Sequence, residues 1–270
     1  MGTECLQVFS SNPRGWRRPE LRPAAAERFR AAAAAAGLHP VVVHASYLVN
    51  LASPKDELWE KSLDLLVDEL ERAAALGCAA VVVHPGSRMG RGLDWGLERV
   101  AAAARRALER TGGAVALWLE NTPGGGGQLG GTLVQLARLL ERLDGWPVGV
   151  CLDTAHAWAA GYRIDAAAPV GRFVDRVERL LGVDAVKLWH FNDIDHPRGR
   201  RRDRHTHLGQ GYIGEAGFKA LVGEPRLASA AVIMETPKDS AWADRRNLAY
   251  LRRIMTGLAP RRSVDTNCRV

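Results

Sequence analysis

The sequence lacks the long apolar run that a membrane-spanning helix needs. No stretch approaches the roughly 18 apolar residues of such a helix, and no charged segment followed by an apolar one opens the chain like a secretion signal. Cysteine is also scarce: the four residues, Cys5, Cys78, Cys151 and Cys268, form no Cys-x-x-Cys pair. These absences argue against a membrane protein, a secreted disulfide scaffold and a cysteine-ligated zinc module. We expect a cytoplasmic protein with reduced cysteines and no membrane partner.

Glycine and proline are limited to 28 and 13 of the 270 residues, whereas 47% of the chain is hydrophobic. A chain of this size can bury one well-packed core, so we expect a single domain over residues 1–258 and a C-terminal tail over 259–270. The formal net charge is +7. Part of the excess lies in one segment with Arg198, Arg200, Arg201, Arg202 and Arg204. This distribution favours a polyanionic partner.

Short apolar runs rich in Val, Ile and Leu predict seven β-strands, with helical patterns between them. The predicted strands are Leu6–Phe9, Val41–His44, Ala80–His84, Val115–Glu120, Val148–Asp153, Val186–His190 and Ala231–Glu235. Continuous apolar runs are typical of parallel strands that are covered on both faces. The alternation of strand and helix therefore predicts an α/β protein with the TIM (β/α)8 barrel fold, one strand short of eight.

Six of these predicted strands end on a side chain that binds metals. The six residues are His44, His84, Glu120, Asp153, His190 and Glu235. They recur every 33 to 45 residues, which is the length of one strand, one helix and their loops. Because the carboxyl ends of barrel strands meet at one edge, we expect the six side chains to surround a common site.

Two further clusters enlarge this set to nine candidates. His156 follows Asp153 by three residues, and Asp203 precedes His205 by two. Zinc takes about four ligands, so five histidines and four carboxylates suit two or three ions that share a carboxylate. His207 is an alternative to His205, which the Asp-x-His spacing favours. A single strand-end histidine is more often an ordinary polar residue, so the prediction depends on the whole set.

Seven motifs containing these residues follow one another along nearly the whole chain. They are His44–Asn50, His84–Ser87, Glu120–Thr122, Asp153–His156, His190–Asp193, Asp203–His205 and Glu235–Pro237. In this order they resemble the endonuclease IV family of abasic-site (AP) endonucleases, which have a xylose-isomerase-like TIM barrel. The resemblance implies hydrolysis of the phosphodiester 5′ to an abasic site in duplex DNA. The products would be a 3′-hydroxyl and a 5′-deoxyribose phosphate.

The resemblance also implies three Zn²⁺ per chain, with Mn²⁺ as a substitute. It assigns His44, His84 and Glu120 to the first ion and Glu120, Asp153, His190 and Glu235 to the second. It assigns His156, Asp203 and His205 to the third. Glu120 and Glu235 would be catalytic, and the residues that probe the DNA stack would be Arg14, Tyr47 and Leu48. We expect the protein to act as a monomer.

The chain departs from the family pattern at its start. The family's first strand and helix, with a Gly-x-His-x-Ser motif, have no counterpart before Gln7, so the barrel would comprise strands 2 to 8. Two other functions stay open. One is a sugar isomerase or epimerase of the same superfamily, with Glu120, Asp153, His190 and Glu235 around a single metal ion. The other is an inactive DNA-binding relative.

Overall fold

The computed structural model describes residues 2–257. Seven of its strands form one sheet: β1 (Leu6–Val8), β2 (Val41–His44), β3 (Ala80–Val83), β4 (Ala116–Glu120), β5 (Val148–Asp153), β6 (Val186–His190) and β9 (Ala231–Ile233). The short strands β7 (Asp193–Ile194) and β8 (His205–Thr206) pair antiparallel. The helices are α1 (Pro23–Ala35), α2 (Asp56–Leu76), α3 (Leu93–Arg110), α4 (Leu133–Arg142), α5 (Thr154–Ala160), α6 (Ala167–Leu181), α7 (Gly214–Gly223) and α8 (Ala243–Thr256).

All pairings in the main sheet are parallel, and each strand lies beside the one before it in the barrel order. The TIM barrel expected from the strand and helix alternation is confirmed. Several strands are shorter than the sequence predicted. β3 ends at Val83 and β9 at Ile233, so His84 and Glu235 stand in the loops that follow.

Side chains alternate between two apolar layers along each strand. Val42 and Val82 pack with Trp118 inside the barrel, whereas Val43 and Val83 belong to the larger core beneath the helices. This alternation explains the continuous apolar runs, because both faces of a barrel strand are covered. The helices return the chain to the start of the next strand. The six strands that carry the predicted ligands therefore all end at the same edge of the sheet.

Among the described residues 2–257, no strand pairs with the outer edges of β1 and β9. Between them runs a cleft of about 970 Å³ lined by both strands and by side chains of α7 and α8. The thiol of Cys5 donates to the Val232 carbonyl across this gap at 3.3 Å. The observed seven strands match the prediction of a barrel without its first strand. Among residues 2–257, no helix is both long and apolar enough to cross a membrane; the predicted tail 259–270 lies outside the described residues.

Candidate metal centre

Six of the nine predicted metal-binding side chains lie where the strands of the main sheet end. Four are the last residues of β2, β4, β5 and β6, namely His44, Glu120, Asp153 and His190. The other two, His84 and Glu235, stand just beyond β3 and β9. All but His84 and Glu235 are buried. The sheet topology thus delivers six side chains from six different strands to one edge of the barrel.

Glu120 stands at the centre of this edge, with imidazole rings around both of its carboxylate oxygens. Oε2 lies 3.2 Å from Nε2 of His44 and 3.0 Å from Nε2 of His84. Oε1 lies 3.1 Å from Nδ1 of His190. Burial alone would raise the pKa of Glu120, but the charges of His84 and His190 outweigh it and hold the pKa well below its usual value. Glu120 is therefore an anion with His44 and His84 beside one carboxylate oxygen and His190 beside the other.

On one side, Glu120 forms a group with His44 and His84 whose ligand atoms lie within 4.8 Å of one another. On the other side, it forms a group with Asp153, His190 and Glu235. Oε2 of Glu235 lies 3.2 Å from Nδ1 of His190. Burial would raise the pKa of Glu235, but the charge of His190 lowers it, so the carboxylate is ionised. Carboxylates and imidazoles in this combination are typical zinc ligands.

A third group lies between β5 and the loop before β8. Asp153, His156 and His205 offer ligand atoms within 4.8 Å of one another. Asp203 joins them, because its Oδ2 lies 3.3 Å from Nε2 of His156 and its Oδ1 lies 3.0 Å from Nε2 of His205. Burial opposes ionisation of Asp203, but the two adjacent histidines hold its pKa far below the usual value. The residues predicted for a third ion are thus brought together.

Three of the histidines turn one ring nitrogen toward a backbone carbonyl and the other toward the carboxylates. The Nδ1-to-oxygen distances are 2.7 Å from His44 to Ala45, 2.9 Å from His156 to Asn121, and 3.1 Å from His205 to Glu235. Within residues 2–257, Nε2 of His156 and Nε2 of His205 are buried without a hydrogen-bond partner. Buried polar atoms nearly always have one, so these two nitrogens beside anionic oxygens fit a bound cation.

The two histidines of the β8 segment have different surroundings. His205 belongs to the third group. Nε2 of His207 lies 2.9 Å from Oδ2 of Asp239, and its Nδ1 lies 2.9 Å from the Asn247 amide on α8. His207 is thus engaged by α8 and the loop before it, which favours His205 as the ligand.

The comparisons with known proteins agree with this geometry. The family model of the xylose isomerase-like TIM barrel matches residues 1–254. A protein named probable endonuclease 4 from Chloroflexus aurantiacus is 44% identical over 260 residues, which cover 95% of this chain and 91% of that protein. The crystal structure of endonuclease IV from Thermus thermophilus gives a TM-score of 0.85 at 43% identity, covering 95% of this chain and 91% of that one. The chain belongs to the endonuclease IV family.

Membership of the endonuclease IV family confirms the resemblance drawn from the seven motifs and the prediction of a nuclease enzyme. The barrel itself is shared more widely. A D-tagatose 3-epimerase-like protein gives a TM-score of 0.67 at 22% identity, covering 88% of this chain and 86% of that one. At that identity the likeness shows the fold alone.

Arg14, Tyr47 and Leu48, the residues that the endonuclease IV resemblance assigns to DNA probing, come from two loops that are tied together. The backbone N–H of Tyr47 donates to the Pro13 carbonyl at 3.1 Å. Arg14 and Tyr47 are exposed, and Leu48 is partly buried against the core. The Tyr47 ring lies 6.0 Å from the His44 ring, between centroids. The Tyr47 side chain therefore stands at the rim of the candidate metal centre.

Two asparagines, which were not among the predicted site residues, bind the predicted ligand residues of this candidate metal centre. Asn121 donates to the backbone carbonyl of Asp153 at 3.0 Å, and its own carbonyl faces His156. Asn192 donates to Oδ2 of Asp153 at 2.5 Å and accepts from the Glu235 backbone N–H at 2.7 Å. Each asparagine lies one or two residues after a strand that ends on a predicted ligand. This position is the sequence feature from which their role could have been predicted.

Cys151 also lies within reach of Glu120 and His190. Burial raises the pKa of its thiol to about 12, despite the opposing charge of His190. A thiol must lose its proton to bind a metal ion. Away from a bound cation, Cys151 is therefore a protonated thiol inside the barrel.

The arginine-rich segment lies on the surface beside the third group. Arg204 pairs with Asp195 at 3.0 Å, and Arg198 donates to the Gly161 carbonyl. Arg200 and Arg202 are exposed and, within residues 2–257, make no ion pair or side-chain hydrogen bond. Their positive charge is thus available to a phosphate backbone next to the candidate metal centre.

Proposed function

We propose that this chain is a zinc-dependent AP endonuclease that hydrolyses the phosphodiester 5′ to an abasic site in duplex DNA. The products are a 3′-hydroxyl and a 5′-deoxyribose phosphate. The observation that carries the proposal is the row of three donor groups that share Glu120 and Asp153 at one edge of the barrel. The endonuclease names of two similar proteins support it.

In this proposal each chain holds three Zn²⁺, with Mn²⁺ as a substitute. The residues that would hold them are His44, His84 and Glu120; Glu120, Asp153, His190 and Glu235; and His156, Asp203 and His205. When bound, such ions make a water nucleophilic near neutral pH and offset charge on the phosphate, so added magnesium is not needed.

Glu120 and Glu235 have different catalytic tasks in this proposal. The Glu120 side chain is fully buried, which suits a fixed anion that keeps two sets of cationic partners in place. The Glu235 side chain is 25% exposed at the open face. Because its carboxylate is ionised, Glu235 can accept a hydrogen bond from the attacking water and orient it toward phosphorus.

Damage recognition is assigned to Arg14, Tyr47 and Leu48. An abasic sugar can leave the helix without breaking a base pair, so its extrusion costs less than that of a paired nucleotide. The exposed Tyr47 ring and the Arg14 guanidinium are placed to contact the stack that the sugar leaves. Selection then depends on the ease of extrusion rather than on base sequence.

A labelled duplex that carries one tetrahydrofuran abasic analogue tests the proposal without added magnesium. Incision is expected 5′ to the analogue, with a new end that a polymerase extends, and an undamaged duplex should remain intact. Chelation should abolish incision and zinc should restore it. Glu235→Gln, which keeps the shape of the side chain, should slow incision by about 10²- to 10⁴-fold. If folded, zinc-loaded protein binds the duplex without cutting it, the chain is an inactive DNA-binding relative.

A metal-dependent sugar isomerase or epimerase is the second candidate. The group of Glu120, Asp153, His190 and Glu235 would by itself serve one divalent ion in such an enzyme. That reaction leaves the His156, Asp203 and His205 cluster without a role. About three zinc ions per chain would favour the nuclease, and one ion together with epimerised ketose would favour the alternative. The monomeric state and the cytoplasmic location stay predictions.

A further inference from the structure

Gln7 lies in the middle of β1, the edge strand at the open side of the barrel. Its register partner is Val42, which packs in the barrel interior. Its neighbours Leu6 and Val8 pack on the other face, against the core beneath the helices. Because side chains alternate along a strand, Gln7 points into the barrel toward the candidate metal centre.

The amide of Gln7 makes one contact with each of two predicted ligands from other strands. Its Oε1 lies 2.8 Å from Nε2 of His190, and its Nε2 donates to Oε1 of Glu235 at 2.7 Å. A carboxylate only accepts, so the amide nitrogen must face Glu235 and the amide oxygen must face His190. Nε2 of His190 therefore carries the proton that Gln7 accepts.

With its proton on Nε2, the neutral His190 ring can bind a cation only through Nδ1. Nδ1 lies 3.1 Å from Oε1 of Glu120 and 3.2 Å from Oε2 of Glu235, within the predicted second metal group. A neutral imidazole with its proton on Nε2 has its lone pair on Nδ1. The Gln7 amide also binds Oε1 of Glu235, so that Oε2 of Glu235 faces the second metal group. One side chain thus sets both the tautomer of His190 and the rotation of Glu235.

We propose that Gln7 is a positioning residue that prepares His190 and Glu235 for the second metal ion; this inference rests on the proposed function. In His44, His156 and His205, a backbone carbonyl faces Nδ1 and fixes the ring in the same way. Side-chain substitution leaves those carbonyls in place. At His190 the orienting carbonyl belongs to a side chain, so a single substitution removes it.

Two variants that keep nearly the size of the Gln7 side chain separate its contact with His190 from its contact with Glu235. Gln7→Leu removes both, whereas Gln7→Glu keeps an acceptor for His190 and sets a second carboxylate against Glu235. Gln135→Leu is the control, because the Gln135 side chain on α4 accepts a hydrogen bond from the Gly131 N–H and none from a predicted ligand. Zinc content, zinc affinity under competition with a chelator, and the visible spectrum of the Co²⁺-substituted protein are measured for each, with circular dichroism to verify folding.

We expect Gln7→Leu to weaken the most affected zinc site by roughly 10- to 100-fold and to change the Co²⁺ spectrum, with Gln135→Leu unchanged. Gln7→Glu should weaken the same site, and Gln7→Asn, which is one methylene too short, should not rescue it. If wild-type protein binds about three zinc ions and Gln7→Leu binds them with the same affinities and spectrum, the inference is wrong and the proposed function stands. If wild-type protein binds no metal ion, both are wrong.

Discussion

Nε2 of His156 lies 3.3 Å from Oδ2 of Asp203, and that buried nitrogen makes no hydrogen bond within residues 2–257. The two residues reach this position from different parts of the fold. His156 is fixed in the buried helix α5, whereas Asp203 belongs to the half-exposed loop before β8. The third donor group is therefore completed by a single loop carboxylate.

Asp203→Ala should remove this third group while the other two remain. We expect the zinc content to fall by about one ion per chain and abasic-site incision to fall by about 100-fold or more, since a ligand and its charge are lost. Metal content is measured by mass spectrometry after dialysis. Asp195→Ala in the same segment removes an exposed partner of Arg204 and should change neither quantity. Equal zinc content in wild type and Asp203→Ala would contradict the assignment.

Zinc binding should release protons and strengthen as the pH rises. Burial would lower the pKa of His205, but Asp153 and Asp203 raise it from 6.5 to about 9. A raised pKa means that the protonated form stabilises the metal-free protein below about pH 6.5, and this contribution is lost as the pH passes about 9. A metal ion must displace that proton. Calorimetric zinc titrations in buffers of different ionisation enthalpy should show proton release at pH 7 and less at pH 9; pH-independent binding would contradict the prediction.

The barrel and most of the candidate site were predictable because they follow from local patterns. Apolar runs set the strands, and a parallel sheet brings strand ends together, so His44, Glu120, Asp153 and His190 could be assigned to one edge. The ends of β3 and β9 were less predictable. The runs before His84 and Glu235 continue past the last ladder hydrogen bond, since apolar character alone does not fix where pairing stops.

Contacts between distant segments were harder to predict. Gln7 is a polar residue in an apolar strand, and its role depends on His190 and Glu235, which arrive more than 180 residues later. The choice between His205 and His207 likewise depends on α8, which engages His207 through Asn247. Such positioning contacts have no periodicity and no fixed spacing, so only the folded structure reveals them.

Asp193 should be a principal anchor of the loop that follows β8. Its buried carboxylate accepts backbone N–H groups from Gly209, Gly211, Ile213 and Gly214 at 2.9 to 3.3 Å. A buried donor left without an acceptor costs about 1–3 kcal/mol, whereas the part-buried N–H groups of Gly209, Gly211 and Gly214 can turn to water at a smaller cost. Asp193→Ala should therefore lower the free energy of unfolding by about 3–5 kcal/mol.

Urea unfolding of the metal-free protein measures this effect. Asp193→Asn retains one acceptor oxygen and should lose less stability than Asp193→Ala. Asp184→Ala removes an exposed carboxylate and should stay within about 0.5 kcal/mol of wild type. Equal losses of unfolding free energy for Asp193→Ala and Asp184→Ala would show that the hydrogen bonds from these N–H groups to Asp193 do not anchor the loop.

Arg200 and Arg202 should contribute to DNA affinity through charge alone. Both are exposed beside the third donor group. Removing one phosphate interaction should reduce the slope of log affinity against log salt by roughly one. The Arg200→Ala and Arg202→Ala double variant should bind damaged and undamaged duplexes more weakly by similar factors, whereas Arg172→Ala on α6 should bind like wild type. A weakening confined to damaged DNA would contradict a purely electrostatic role.

Tyr47 should contribute to the discrimination of damaged from undamaged DNA. Its side chain is 58% exposed, and its ring centroid lies 5.4 Å from that of Phe9, which holds the ring at the rim of the candidate metal centre. Stacking of an aromatic ring on a base is worth about 1–3 kcal/mol, so Tyr47→Ala should raise KM for an abasic duplex roughly 5- to 100-fold. Zinc content should not change, because Tyr47 is not among the donor groups.

Two further tyrosine variants decide whether the ring itself is responsible. Tyr47→Phe keeps the stacking surface and should retain near wild-type KM. Tyr212→Ala removes a ring of similar exposure, 51%, from another loop and should leave KM unchanged. Binding to an undamaged duplex should be similar in all three variants, because an intact base stack has no gap that the Tyr47 ring could enter. If Tyr47→Phe behaves like Tyr47→Ala, the hydroxyl rather than the stacked ring carries the effect, and recognition by stacking is wrong.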